Sequence, residues 1–89
     1  MKNSKIITYD LCNLSKNYNA LYEYFRSYPD FAQITESTWF ISTDKSCIQI
    51  GLELSDLLDS DDRFFVTDVS VDAAWKNVIC DSNYLKSKL

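Results

Sequence analysis

The stretch Ile6-Ile7-Thr8-Tyr9-Asp10-Leu11 decides the fold. Its first four residues are β-branched or aromatic, types that suit a pleated surface. Side chains alternate along a strand, so Ile7, Tyr9 and Leu11 share one face and Ile6, Thr8 and Asp10 the other. Both faces begin apolar and only one ends in a charge. That pattern predicts a strand in the middle of a sheet, with Asp10 at its C-terminal lip.

Outward from this strand, Cys12 to Asn17 is a polar loop, and Asn17 is suited to cap a helix. From Tyr18 to Tyr28 the apolar residues Tyr18, Leu21, Tyr22, Phe25 and Tyr28 form one helical stripe. Pro29 stops that helix. Phe31–Thr35 and Thr38–Thr43 read as two strands joined through Glu36 and Ser37, a hairpin spacing. Ser46 to Leu58 then reads as a second helix with Cys47, Ile50, Leu54, Leu57 and Leu58 as its apolar stripe. Gly51 inside it weakens the helix by about 1 kcal/mol relative to Ala, and close packing against a strand is one compensation. The acidic turn Asp59-Ser60-Asp61-Asp62 leads into a fourth strand, Arg63 to Val71. Asp72 suits a cap for a short third helix from Ala73 to about Ile79, with DSNYLKSKL as a surface tail or partner-binding extension.

Strand, helix, strand, strand, helix, strand with short connections is the split βαβ pattern of a ferredoxin-like domain. The expected class is α+β: a four-stranded antiparallel sheet in the order fourth, first, third, second. Two helices cover one face, and a short C-terminal helix follows. The chain of 89 residues is read as one domain, 1–89, with 72–89 as a C-terminal extension. The core face is assigned Ile7, Tyr9, Leu11, Trp39, Ile41, Phe65 and Val69. The opposite face then carries Ile6, Thr8, Asp10, Phe40, Phe64 and Val66, too apolar for water. A homodimer through Ile6, Phe40, Phe64 and Val66 is the preferred cover, since a twofold axis buries the same patch twice. The C-terminal helix is the alternative cover.

Composition narrows the function. Net charge is −4, and Arg26 and Arg63 are the only arginines. That argues against strong DNA binding, which needs a basic footprint. Histidine is absent, which removes the commonest general base and metal ligand. Cys12, Cys47 and Cys80 are odd in number and lack a CxxC spacing, so free thiols in a reducing cytoplasm are expected. No long apolar run suggests a membrane span.

Three stretches carry a resemblance: ITYDL around Thr8–Asp10, ESTWFIST at Glu36–Thr43 and DSDDRFFVTDVS at Asp59–Ser70. On these the sequence resembles the small CRISPR-associated proteins of the "Cas-two" family, and more closely the short bacterial and phage proteins labelled SinR-like. The resemblance implies a ferredoxin-like homodimer. In catalytic members an aspartate ending the first strand pairs with its symmetry mate around a divalent metal that activates water against a phosphodiester. Asp10 is the matching position, and the implied metal is Mg²⁺. The acidic surface departs from members that grip DNA.

Read on its own, Asp10 is equally a solvated strand-end carboxylate. Asp68 is placed at the opposite end of the sheet from Asp10, as an edge charge. Asp59, Asp61 and Asp62 read as a solvated turn. The stripe of Tyr18, Tyr22, Phe25 and Tyr28 reads as core rather than a stacking platform for bases. Cys12 lacks a histidine to activate it. The expected function is therefore a small homodimeric, non-catalytic interaction module, phage- or defence-related, that binds a host or phage protein or a small nucleotide and needs no cofactor. The alternative is a metal-dependent nuclease or phosphodiesterase using paired Asp10. Duplex DNA should bind weakly and lose binding as salt rises. An electrophoretic titration that gave nanomolar affinity at physiological salt would contradict this.

Overall fold

Strand β1, Ser4–Asp10, pairs antiparallel on both sides, with β3 (Thr38–Ser42) and with β4 (Arg63–Asp68). β2 (Phe31–Thr35) pairs with β3, which gives the sheet order β2-β3-β1-β4. Helices α1 (Asn19–Arg26), α2 (Cys47–Leu57) and α3 (Ser82–Lys88) complete an α+β architecture. This computed structural model describes residues 4–12, 18–69 and 73–88. The strand order and the placing of Ile6–Asp10 at the centre agree with the sequence reading.

The core lies between the sheet and the first two helices. Ile7, Tyr9, Trp39 and Ile41 from the sheet meet Leu21 and Phe25 of α1 and Ile50 and Leu54 of α2. Tyr18 and Tyr28 are buried with them, so the aromatic stripe is core. Asn17, the expected cap, lies outside the described residues, and Tyr18 occupies the N-cap position. α1 ends at Arg26, earlier than the stripe suggests. The Ser27 hydroxyl donates to the Tyr24 carbonyl at 2.6 Å, a local bond that competes with the helical ladder just before Pro29. α2 starts as expected: the Ser46 side chain accepts from the Gln49 N–H at 3.1 Å.

Two expectations are corrected. The first concerns β4. Val66 lies opposite Ile7 and Phe64 opposite Tyr9, and directly opposed residues point to the same face. Phe64 and Val66 therefore pack under the helices, while Phe65, opposite Thr8, is 63% exposed on the other face. Consecutive Phe64, Phe65 and Val66 leave no alternation to read, so the parity of β4 rests on its register with β1.

The second correction concerns the chain's end. Ala73–Ile79 is not helical, and Asn77 has a left-handed φ of 55° that a helix does not accept. The helix comes later, over the stretch read as a tail. This segment covers part of the sheet's second face, over β3. The Ile79 N–H bonds to the Ile34 carbonyl at 2.9 Å. Phe40 is fully buried, edge-on to Tyr84 at 6.1 Å, and Leu85 is buried too. Lys88 pairs with Asp30 at 3.1 Å, and the Ser4 hydroxyl donates to the Lys88 carbonyl at 3.4 Å. Ile6 is half-buried in an apolar hollow with Leu85 and Trp75. The four residues expected to form a dimer interface thus do not share one exposed patch: Phe40 is covered by α3, and Phe64 and Val66 face the other way.

Gly51 sits against β4, as its position in a helix suggested. A Cβ there would meet Phe64 Cε1 at 3.4 Å, ordinary van der Waals contact, and Gly51 has no left-handed φ to protect. Gly51→Ala should therefore gain most of the helix-propensity difference, about 0.5–1 kcal/mol. Urea unfolding should show a higher midpoint at unchanged slope. A lower midpoint would mean that the Phe64 ring cannot yield the small space needed.

Candidate functional site

Asp10 ends β1 at the sheet's lip, where the sequence places it. Its cross-strand neighbour is Arg63, the first residue of β4, and Arg63 Nη1 donates to Asp10 Oδ2 at 3.3 Å. Both side chains are largely in solvent, at 69% and 78% exposure. Thr8, Tyr9, Phe64 and Phe65 join them around a shallow hollow of about 210 Å³. A second hollow, about 350 Å³, opens on the other side of Asp10 among Leu11, Tyr22, Glu36 and Ser37. Asp10 is therefore an accessible carboxylate with a guanidinium already beside it.

The scaffold behind it is fixed by Tyr9. The buried Tyr9 hydroxyl donates to the Glu36 carbonyl at 3.1 Å and accepts from Trp39 Nε1 at 3.1 Å. Burial pushes the phenol up from its usual pKa, and the Trp39 donor offsets part of that rise. Tyr9 is thus a neutral positioning group. The Tyr9 N–H also bonds to the Ser37 carbonyl at 3.0 Å, which ties the β2–β3 turn to the end of β1.

Asp62 does more than a solvated turn residue would. It accepts from the Cys12 N–H at 2.9 Å, from the Tyr18 hydroxyl at 3.1 Å and from the Asp59 N–H at 2.9 Å. One carboxylate therefore joins the exit of β1, the entry of α1 and the turn before β4. Cys12 adds a contact from its thiol to the Asp61 carbonyl at 2.9 Å. Asp68 lies opposite Lys5, at the far end of the β1–β4 pair from Asp10, so the two carboxylates are kept apart as expected. Asp68 is more than an edge charge, because it is ion-paired with the almost fully buried Lys5.

A second polar cluster clamps α1 to α2. Tyr24 donates to Glu53 Oε1 at 2.6 Å and shares a hydrogen bond with the Tyr28 hydroxyl at 2.8 Å. Lys45 Nζ reaches Glu53 Oε1 at 3.0 Å and the Tyr28 hydroxyl at 3.3 Å, and lies 5.1 Å from the Tyr28 ring centroid. Donation from Tyr24, then from Lys45, holds the Glu53 carboxyl below its usual range. The Glu53 hydrogen bond holds Lys45 above its own. Burial, reinforced by Glu53, pushes Tyr24 far above the usual phenol range. These bonds tie α1 to α2 and to Lys45 just before it.

All three cysteines are free thiols, and burial raises the Cys80 thiol. Among the described residues, no three His, Cys, Asp or Glu side chains converge on a point suited to a metal ion. No described helix is long and apolar enough to cross a membrane. No family model, curated protein or solved structure matches the chain.

The clamp predicts a pH dependence. Glu53 has a depressed folded pKa, so its contribution is full above the unfolded value of about 4.3 and is lost as pH falls through the folded pKa. Lys45 acts in the opposite sense: its contribution is full below about 10.4 and is lost as pH rises through its raised folded pKa. Glu53→Gln should lower the urea midpoint at neutral pH and converge with the parent at about pH 2, where both carboxyl and amide are neutral. Equal losses at both pH values would assign the effect to packing instead.

Proposed function

We propose that this chain is a small non-catalytic interaction module with a ferredoxin-like βαββαβ arrangement, and that it acts by binding a protein. The strand order and the two helices packed with one sheet face support the arrangement. The observation that carries the functional reading is the Arg63–Asp10 pair. A metal-assisted nuclease needs a carboxylate that attracts Mg²⁺ away from water, and Mg²⁺ gives up its hydration reluctantly. A guanidinium already bonded to Asp10 competes for the same oxygen and reduces the local negative potential.

Exposed apolar side chains favour a protein over a nucleotide as the partner. Ile48 and Leu52 stand out on α2 and Phe65 on β4, at 78%, 67% and 63% exposure. The resemblance of the three short motifs to CRISPR-associated and phage proteins supports a defence-related setting for this binding. The net charge of −4 favours protein surfaces with basic character over nucleic acid.

The test is a comparison of the parent with Asp10→Asn. Millimolar Mg²⁺ should move the melting temperature of neither by more than about 1 °C, because no differential binding to the folded state is expected. Single-stranded RNA, single-stranded DNA and duplex DNA should survive incubation with both. A Mg²⁺-dependent rise in melting temperature together with cleavage, both lost in Asp10→Asn, would replace this reading with a phosphodiesterase built on Asp10 from two copies.

A further inference from the structure

We propose that the C-terminal segment, residues 73–88, is a releasable strap: it opens as one unit from an otherwise intact sheet and bares the face that holds Phe40. This goes beyond the binding reading and does not rest on it.

The apolar interior is divided in two. The main cluster, between the sheet and the first two helices, includes Ile7, Tyr9, Phe25, Trp39, Ile50 and Leu54 and no residue of the C-terminal segment. Phe40 and Leu85 are just as buried but lie outside that cluster. They belong to a thin second layer on the other face of the sheet.

The backbone is divided in the same way. The β1–β3, β1–β4 and β2–β3 ladders join all four strands without help from the segment. The segment in turn is braced internally. The Asp81 side chain accepts from the Asn83 N–H at 2.9 Å, and the Asp81 carbonyl accepts from the Tyr84 N–H at 3.0 Å, which caps α3 from within. Trp75 Nε1 donates to the Ser82 hydroxyl at 3.2 Å and ties the irregular stretch to the helix. The polar ties to the rest of the protein sit at the two ends. The Ile79 N–H reaches the Ile34 carbonyl at one, and Lys88 reaches Asp30 and Ser4 at the other. Lifting the segment therefore breaks neither a ladder nor the main cluster.

Docking also carries costs that release removes. The Tyr84 hydroxyl is buried and has no hydrogen-bond partner among the described residues, while its ring packs edge-on to Phe40. A phenol that leaves water without a replacement forfeits hydrogen bonds that it regains on exposure. Asn77 adds a left-handed φ of 55° in the same segment, a backbone state that a free chain need not keep. The burial of Leu85 and Phe40 holds the strap down, and these two costs act against it. The result is a cooperative unit whose opening takes less free energy than unfolding the whole domain. The occupant of this sheet face is thus the chain's own end, held reversibly.

Amide exchange, followed by NMR in urea below the unfolding transition, tests this. The Ile79 and Leu85 N–H groups should share one opening free energy and one urea slope. That slope should be measurable, yet smaller than the slope for the Tyr9 N–H at the end of β1. Tyr84→Phe should slow exchange at both positions by about fivefold or more, as expected for removing an unbonded buried hydroxyl. Lys88→Glu, which sets a like charge beside Asp30, should speed exchange at Ile79 as well as at Leu85, although Ile79 lies at the other end of the strap. Three results each overturn the proposal: exchange of Ile79 only together with Tyr9, a Lys88→Glu effect that stops at Leu85, or exchange in Tyr84→Phe as fast as in the parent. None of these measurements involves Mg²⁺ or nucleic acid, so the strap and the non-catalytic reading fail separately.

Discussion

The Trp39 indole N–H donates to the Tyr9 hydroxyl inside an aromatic stack, and most of the molecule is arranged by that contact. Phe25 stacks on Trp39 at 5.0 Å between centroids and on Tyr9 at 6.1 Å. Two strands and a helix therefore meet in one block of rings. Buried indole and phenol groups need polar partners, and each supplies the other's. The second bond of the Tyr9 hydroxyl, to the Glu36 carbonyl, draws the β2–β3 turn to the end of β1. Asp10 follows Tyr9 directly, so the stack also decides where the lip carboxylate emerges.

The demand for burial on both faces of β1 explains the chain's end. A domain this small has little interior, and an apolar face left open would forfeit much of it. Ile7 and Tyr9 are covered by the helices, whereas Phe40 on the opposite face depends on α3. α3 is short and carries little apolar surface of its own. Its anchors are accordingly spread out: Leu85 in the apolar hollow, Tyr84 against Phe40, and Lys88 with Asp30 and Ser4.

What the sequence made legible was local. Alternation in Ile6–Asp10, the stripe from Tyr18 to Tyr28, the helix start near Ser46 and the Glu36–Ser37 turn each depend on neighbours in the chain, and each appears in the structure. The features that escaped depend on distant residues. Phe64, Phe65 and Val66 are all apolar, so only pairing with β1 tells which faces the helices. Ser82–Lys88 has two apolar residues and looks like a tail until the sheet beneath it is known. The position of Asp10 at the lip was readable, but its Arg63 partner required the β1–β4 register. Asp62 gave no signal, because Cys12 and Tyr18 lie far from it in sequence.

The Asp10–Arg63 pair has a significance that stability does not account for. Exposed ion pairs contribute about 0–1 kcal/mol, too little to explain the fold. The pair's effect is electrostatic and local. It sets a guanidinium beside the carboxylate where β1 ends and β4 begins, next to Phe65, while Asp59, Asp61 and Asp62 keep the adjoining turn acidic. The carboxylate that most invites a catalytic reading already stands as one half of an exposed ion pair.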